Sequence, residues 1–193
     1  MKAVILLGTL KKSGLSNTAT LAQFFAERLN RHGVSTDIIH LVNENIAAGT
    51  YTDMGSGDAW PAVLARVEAA SILIFATPIW WGNHSSEIQK VIERLDHLHD
   101  EILQGKPSRL EGKVAGVIIT GDSDGSQHII GNICNFCNAI GLLVPPYASL
   151  AVQWSEQAKD KHPTREMLME KYHSEYGKTA DTMVSQLLKY AGK

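Results

Sequence analysis

A three-layer α/β/α sandwich around a five-stranded parallel sheet is what this 193-residue chain predicts, on three observations. Short β-rich apolar runs alternate with segments of helical period, the pattern of parallel strands joined by crossover helices. The runs are apolar throughout, as strands buried on both faces are. Three of them end in polar, glycine-containing loops, the places where an open α/β sheet binds its ligand.

Taken in order, Ala3 to Leu7 is a first buried strand, followed by a loop and a helix with the face Ala22, Phe25, Ala26 and Leu29, closed by Gly33. Thr36 to Leu41 alternates enough to be a more exposed strand near the sheet edge, and 42 to 57 is a polar loop. Asp58 is placed to cap a short helix that tolerates Pro61 in its first turn and carries Val63, Leu64 and Val67. Ile72 to Ala76 is the third strand. Ser86 and Gln89 have capping-box spacing ahead of a helix bearing Ile88, Val91, Ile92, Leu95 and Leu98. Lys113 to Thr120 is the fourth strand, and its helix buries Ile129, Ile130, Ile133, Phe136, Cys137 and Ile140 before Gly141. The fifth strand runs over Leu142 to Val144 and resumes at Tyr147 to Val152. Two terminal helical segments follow, with a break expected near Gly177. Right-handed crossovers and a two-sided helix layer favour the strand order 2-1-3-4-5.

A chain of this length makes one domain, read here as residues 1 to 193 with a helical extension from about 155. It is long enough to make its core without disulfides or structural metal. The 44% hydrophobic and 20% charged fractions exclude disorder, collagen and coiled coil, and a net charge of −2 argues against a nucleic-acid binder. Two cysteines only three apart cannot staple a distant loop, so a cytoplasmic setting is expected. No apolar run approaches a signal sequence or the roughly 20 residues of a membrane helix, so no membrane insertion is expected.

The strand order directs attention to three strand ends. The first, Gly8 to Thr18, is neither a P-loop nor a dinucleotide fingerprint. It does gather hydroxyls and an amide just before a helix, where free N–H groups and the helix dipole favour a phosphate; a plain polar turn capped by Ser16 is the bland alternative. The second, Thr77 to Ser86, sets Trp80 and Trp81 before Gly82, a flat apolar surface for a planar heterocycle, unless both indoles pack under helices or at a subunit contact. His84 beside it is a candidate proton donor or a solvated residue. The third, Gly121-Asp122-Ser123-Asp124-Gly125, matches the Gly-x-Ser-x-Gly elbow, with Asp160 and His162 or Glu170 and His173 as triad partners. Carboxylates on both sides of Ser123 oppose the oxyanion such a hydrolase must stabilise. Cys134 and Cys137 lie inside a helix and read as packing residues, and Asp96-His97-Leu98-His99-Asp100 as a solvated helix end; no metal site is expected.

Together the three loops resemble the NAD(P)H-dependent FMN reductases of the flavodoxin-like superfamily, the branch similar to multimeric flavodoxins and iron–sulfur flavoproteins. The strongest piece is Thr77-Pro78-Ile79-Trp80-Trp81-Gly82, then Ser85-Ser86 and Ile92-Glu93-Arg94-Leu95-Asp96; Gly112-Lys113-Val114 and Gly141 to Pro146 are similarly placed. The resemblance covers residues 1 to about 155. It implies a flavodoxin-like fold and FMN as cofactor, with Thr9, Lys11, Ser13, Ser16, Asn17 and Thr18 holding the phosphate. Pro78, Ile79, Trp80, Trp81 and Gly82 would line the isoalloxazine, mostly through backbone amides, with Thr120, Gly121, Asp124 and Gly125 at its other edge. Trp80 stands where Tyr is usual and His84 where a small or apolar residue is commoner. The segment Asn45 to Gly57 lacks the clustered cysteines of iron–sulfur members, so no cluster is expected. The implied activity is hydride transfer from NAD(P)H through flavin to a quinone or other small acceptor, in a homodimer or homotetramer. An electron carrier of the flavodoxin kind is the alternative, and hydrolysis at Ser123 a distant one. Asp122 and Asp124 should point outward or cap the next helix, because they would oppose charge on a reduced flavin.

Overall fold

The computed structural model describes residues 1–159 and 161–191. The strands are β1 (Lys2–Leu7), β2 (Ser35–His40), β3 (Ile72–Pro78), β4 (Val114–Gly121) and β5 (Ser149–Gln153). All neighbours pair in parallel in the order β2-β1-β3-β4-β5. The helices are α1 (Asn17–Arg31), α2 (Trp60–Glu68), α3 (Ser86–Leu103), α4 (Ser126–Ala139) and α5 (Arg165–Tyr190).

Alternate residues of the central strands feed two cores, which is why those strands are apolar on both faces. Val4, Leu6, Leu73, Phe75, Val117 and Ile119 pack against Trp60, Val63, Val91, Leu95, Ile129 and Ile133 of α2, α3 and α4. On the other face Ala3, Ile5, Leu7, Ile72, Ile74 and Ile118 meet Phe24, Phe25 and Leu29 of α1 and Tyr172, Met183, Val184 and Leu187 of α5. The terminal helix is therefore half of one covering layer. β2, with only Ile39 fully buried, is an edge strand.

Four local expectations are corrected. First, α5 runs through Gly177 without a break, because one glycine costs a helix only about 1 kcal/mol. Its role is close approach: a Cβ there would lie 3.0 Å from the Arg28 guanidinium, which reaches across from α1 to bind Asp181 with two hydrogen bonds of 2.7 and 2.8 Å. Second, Ser85 and not Ser86 caps α3, accepting from the Ile88 N–H, so the capping-box spacing is coincidental. Third, the cap position of α2 is Ala59. The Asp58 side chain is buried and paired with Arg94 of α3 at 2.6 Å. Fourth, of Leu142 to Val144 only Leu143 pairs its backbone with the sheet, in a single bridge to Val114, and Pro145-Pro146 then turn the chain before β5.

The Asp58–Arg94 pair organises the loop after β2. Arg94 donates to the carbonyls of Ala47, Tyr51 and Thr52 besides Asp58, while Asp58 accepts from the N–H groups of Ala47, Met54 and Trp60. Burial disfavours the Asp58 carboxylate, but these four donors outweigh it and hold the group well below the usual carboxylate range. His97, read as part of a solvated helix end, instead packs against Tyr51 of this loop. Cys137 is buried and Cys134 partly so, and burial pushes both thiols up.

Candidate cofactor site

At the carboxyl ends of β1, β3 and β4 the three loops converge. In the first, Ser16 caps α1 by accepting from the Ala19 N–H at 3.2 Å, and its hydroxyl meets that of Thr9 at 2.8 Å. Both are buried, so they shape the turn from within. Leu10 to Gly14 are exposed, and the N–H groups of Lys12, Ser13 and Gly14 carry no hydrogen bond among the described residues. Free N–H groups beside the start of a 15-residue helix suit an anion. Lys11 folds its ammonium onto the Leu15 carbonyl at 2.8 Å, inside the same loop. Thr18 faces the other way: its hydroxyl is 2.7 Å from that of Thr120, both buried, tying α1 to β4. Of the predicted phosphate ligands, Ser13 and Lys11 are exposed at the loop tip, Thr9 and Ser16 brace it, and Thr18 is a fastener.

The second loop is a tight turn. Trp80 and Asn83 exchange two backbone hydrogen bonds of 2.8 and 2.9 Å around Trp81 and Gly82. Both central residues have positive φ, +50° and +76°, as a type I′ turn requires. That conformation is ordinary for glycine and strained for a bulky aromatic residue. Asn83 holds the central peptide by donating from its amide to the Trp81 carbonyl at 3.1 Å, and its amide oxygen lies 3.2 Å from His128 Nε2 on α4. The two indoles do not form one platform. Trp80 is half-buried beneath the Lys159 ammonium, 4.3 Å from its ring centroid, whereas Trp81 is 97% exposed. Pro78 ends β3, and Ile79 is buried against Gly121, where a Cβ would come within 2.7 Å of its Cδ1.

The third loop meets the second backbone to backbone. A Cβ on Gly125, whose φ is +124°, would lie 2.5 Å from the Gly82 Cα. Asp122 and Asp124 are exposed; Asp124 accepts from the Gly125 N–H at 2.7 Å, and α4 has no side-chain cap. They point outward, and neither caps the helix. Ser123 is exposed and outside the left-handed region, which among the described non-glycine residues holds only Trp81 and Tyr147. Its hydroxyl has no described partner. His173 is engaged by Arg28 at 3.1 Å, and Asp160 lies outside the described residues, so no triad forms around Ser123 among them. The one hydrogen-bond partner of the His84 ring among the described residues is the neighbouring Ser85 carbonyl, at 3.2 Å.

A fourth segment escaped the sequence reading. From the last residue of β5 onward the chain binds all three loops. Gln153 donates to the Ser123 carbonyl at 2.5 Å, the Trp154 N–H to the Gly121 carbonyl at 2.8 Å, and the Gln157 carbonyl accepts from Asn17 at 3.2 Å. Lys159 then reaches Trp80. One end of the Gln157 amide meets the Tyr172 hydroxyl at 3.4 Å; the other is buried without a partner among the described residues, as is the Trp80 indole N–H. Orphaned buried polar atoms are rare in proteins, and two beside one crevice fit a site built for a polar ligand. No motif marks this strap, and its contacts depend on the sheet order. Arg94 did leave a signal: it interrupts the apolar stripe of Val91, Leu95 and Leu98, and a charge there needs a buried partner.

No described group of three or more His, Cys, Asp or Glu residues is placed to hold a metal ion, and no described helix is long and apolar enough to cross a membrane. Sheet order and crevice define a flavodoxin-like α/β protein, with its ligand loops at the point where the order reverses. The sequence model of the NADPH-dependent FMN reductases matches residues 1–157, and the chain belongs to that family. It is 30% identical over 159 residues to 8-demethyl-8-aminoriboflavin-5′-phosphate synthase of Streptomyces davaonensis, covering 77% of this chain and 62% of that protein. It is 34% identical over 153 residues to the divalent metal cation transporter MntH of Mycobacterium bovis, covering 77% of this chain and 22% of that protein. A solved structure of RosB with bound 8-demethyl-8-formylriboflavin-5′-phosphate matches with a TM-score of 0.83 at 25% identity, over 99% of this chain and 79% of that one.

Proposed function

We propose that the protein is an FMN-dependent oxidoreductase that passes two electrons from NAD(P)H to a quinone or similar small acceptor. The observation that carries this reading is the crevice itself. The N–H groups of residues 12–14, in the exposed loop ahead of α1 and without a hydrogen bond among the described residues, suit the phosphate, and the Gly82–Gly125 contact and the Trp80–Gly82 turn offer backbone to the ring system. Ser13, Lys11 and the N–H groups of residues 12–14 would hold the phosphate, with Thr9, Ser16, Asn17 and Thr18 bracing the loop. Pro78 to Gly82 and Thr120, Gly121, Asp124 and Gly125 would flank the ring. When bound, FMN supplies the two-electron relay between nicotinamide and acceptor. The chain's own part is to bind, orient and exclude water: the strap covers the crevice, and no side chain is assigned a proton-transfer role.

A net charge of −2 supports an enzyme over a flavodoxin-type carrier, which steers protein partners with a one-signed field. The reading places the chain in the cytoplasm as a single domain, in a homodimer or homotetramer with the nicotinamide site open between subunits. The test is the absorption spectrum of the purified protein, followed by NADH and NADPH oxidation with menadione, dyes or free flavin. An FMN-supplemented protein that oxidises neither nucleotide with any of them would refute it, and a stable semiquinone on reductive titration would favour the carrier. The relatives named for flavin 5′-phosphates support a second reading, in which the flavin is itself the substrate. Mass spectrometry of the flavin released after turnover distinguishes the two, because a relay returns it unchanged.

A further inference from the structure

Trp81 carries two costs at once. Its backbone occupies the left-handed region at φ +50°, where the commonest residues are Gly, Asn and Asp, and its indole is 97% exposed. Asparagine or glycine would form the same turn without either. The strain is also held in place: Asn83 grips the Trp81 carbonyl and is itself in contact with His128, while Gly82 is pressed against Gly125. Strained, over-determined residues of this kind mark functional positions. The neighbouring indole is not free for the same task, because Lys159 covers Trp80.

We infer that the Trp81 indole is the stacking surface for the second substrate, a planar aromatic acceptor such as a quinone, held at the open side of the crevice. The inference rests on the proposed oxidoreductase reading and adds to it the residue that selects the acceptor. The turn divides its labour: its backbone belongs to the cofactor wall, while its one fully exposed ring is left for a partner that comes and goes. In the reaction served, NAD(P)H gives a hydride, solvent gives a proton, and the quinone leaves as hydroquinone, so two electrons and two protons balance. A flat aromatic ring gains from an offset-stacked indole, whereas an octahedral inorganic oxidant such as ferricyanide has no such face.

The experiment uses FMN-loaded protein and two acceptors, menadione and ferricyanide, with Trp81→Asn, Trp81→Phe and Trp81→Leu. Asparagine suits the turn, which keeps the fold intact while removing the ring. The expected result is a kcat/KM for menadione that falls about tenfold relative to that for ferricyanide in Trp81→Asn, carried by KM. Trp81→Phe should recover most of this selectivity and Trp81→Leu little of it, since leucine offers apolar area without a ring. Parallel loss with both acceptors, or an unchanged ratio, overturns the inference while leaving the oxidoreductase reading standing. So does a drop in oligomeric state by light scattering in Trp81→Asn, which would make the indole a contact between copies of the chain. Wild-type protein that binds no FMN overturns both.

Discussion

Replacing Arg94 with methionine tests whether the loop after β2 depends on one side chain. The guanidinium is fully buried and makes four hydrogen bonds, three to backbone carbonyls and one to the Asp58 carboxylate. Breaking a buried pair by removing one partner costs roughly 3–5 kcal/mol. Three part-buried carbonyls lose their donor as well and add to this cost, up to the about 1–3 kcal/mol of an acceptor left unpaired away from water. At about 2–4 °C per kcal/mol for a domain of this size, the melting temperature at pH 7 should fall by roughly 6–20 °C. A second signature comes from Asp58. With its folded value depressed, its ionisation stabilises the wild type above the ordinary carboxylate range, and that stability drains away as pH falls from about 4 toward the folded value. In the variant the Arg94 donor is gone and burial counts for more, so the melting temperature should depend less steeply on pH between about 5 and 3. The carbonyls make a further distinction. If Arg94 served only Asp58, the double variant Asp58→Asn, Arg94→Met would recover stability; because it also serves Ala47, Tyr51 and Thr52, the double variant should stay close to Arg94→Met alone. Calorimetry on the wild type, Arg94→Met and the double variant across pH decides it. A drop under about 2 °C, or full recovery in the double variant, would show that the loop is held elsewhere.

Two other perturbations read different parts of the molecule. Gly125→Ala forces a methyl group into the Gly82 backbone and a strained φ at once, so it should cost at least about 2 kcal/mol and weaken FMN binding, measured by flavin fluorescence quenching against the melting temperature. An alanine variant with unchanged FMN affinity would mean the two loops need not touch. The thiols of Cys134 and Cys137 are pushed up by burial, so in native protein at pH 8 Ellman's reagent should modify Cys134 slowly and Cys137 only on unfolding. By the same linkage their contribution to stability is present below the ordinary thiol value near 8.5 and is lost as pH rises above it, and rapid native labelling of both would contradict this.

Strand identity, sheet order and the loops that carry the crevice were legible because they follow from local periodicity and from the handedness of crossovers. Ala3 to Leu7 and Ile72 to Ala76 can hardly be anything but buried parallel strands, and once five are placed the crevice position follows. Contacts that join distant segments were not legible. Asp58 looked like a helix cap because its spacing to Pro61 is right, and only the arrival of Arg94, thirty-six residues on, turns its carboxylate inward. Gly177 looked like a helix end because nothing local shows that Arg28 needs the space. The Thr18–Thr120 hydrogen bond, between residues 102 apart in the chain, left no local signal either. Trp80 and Trp81 are adjacent in sequence, yet the strand-to-turn transition sends one under Lys159 and leaves the other exposed, a split that no local pattern marks.

The strap after β5 also bears on how the molecule is made. Domains fold as the chain leaves the ribosome, from the N-terminus onward. The first two crevice loops emerge early, with β1 and β3, but Gln153 ends β5, the last strand to appear, and Gln157 and Lys159 follow it. Asn17 and Trp80 must therefore wait for more than 70 further residues beyond Trp80 before their covering partners exist. Retention of a cofactor in this crevice would then be a late event in synthesis, completed only as the strap and then α5 close over a sheet whose strands are already made.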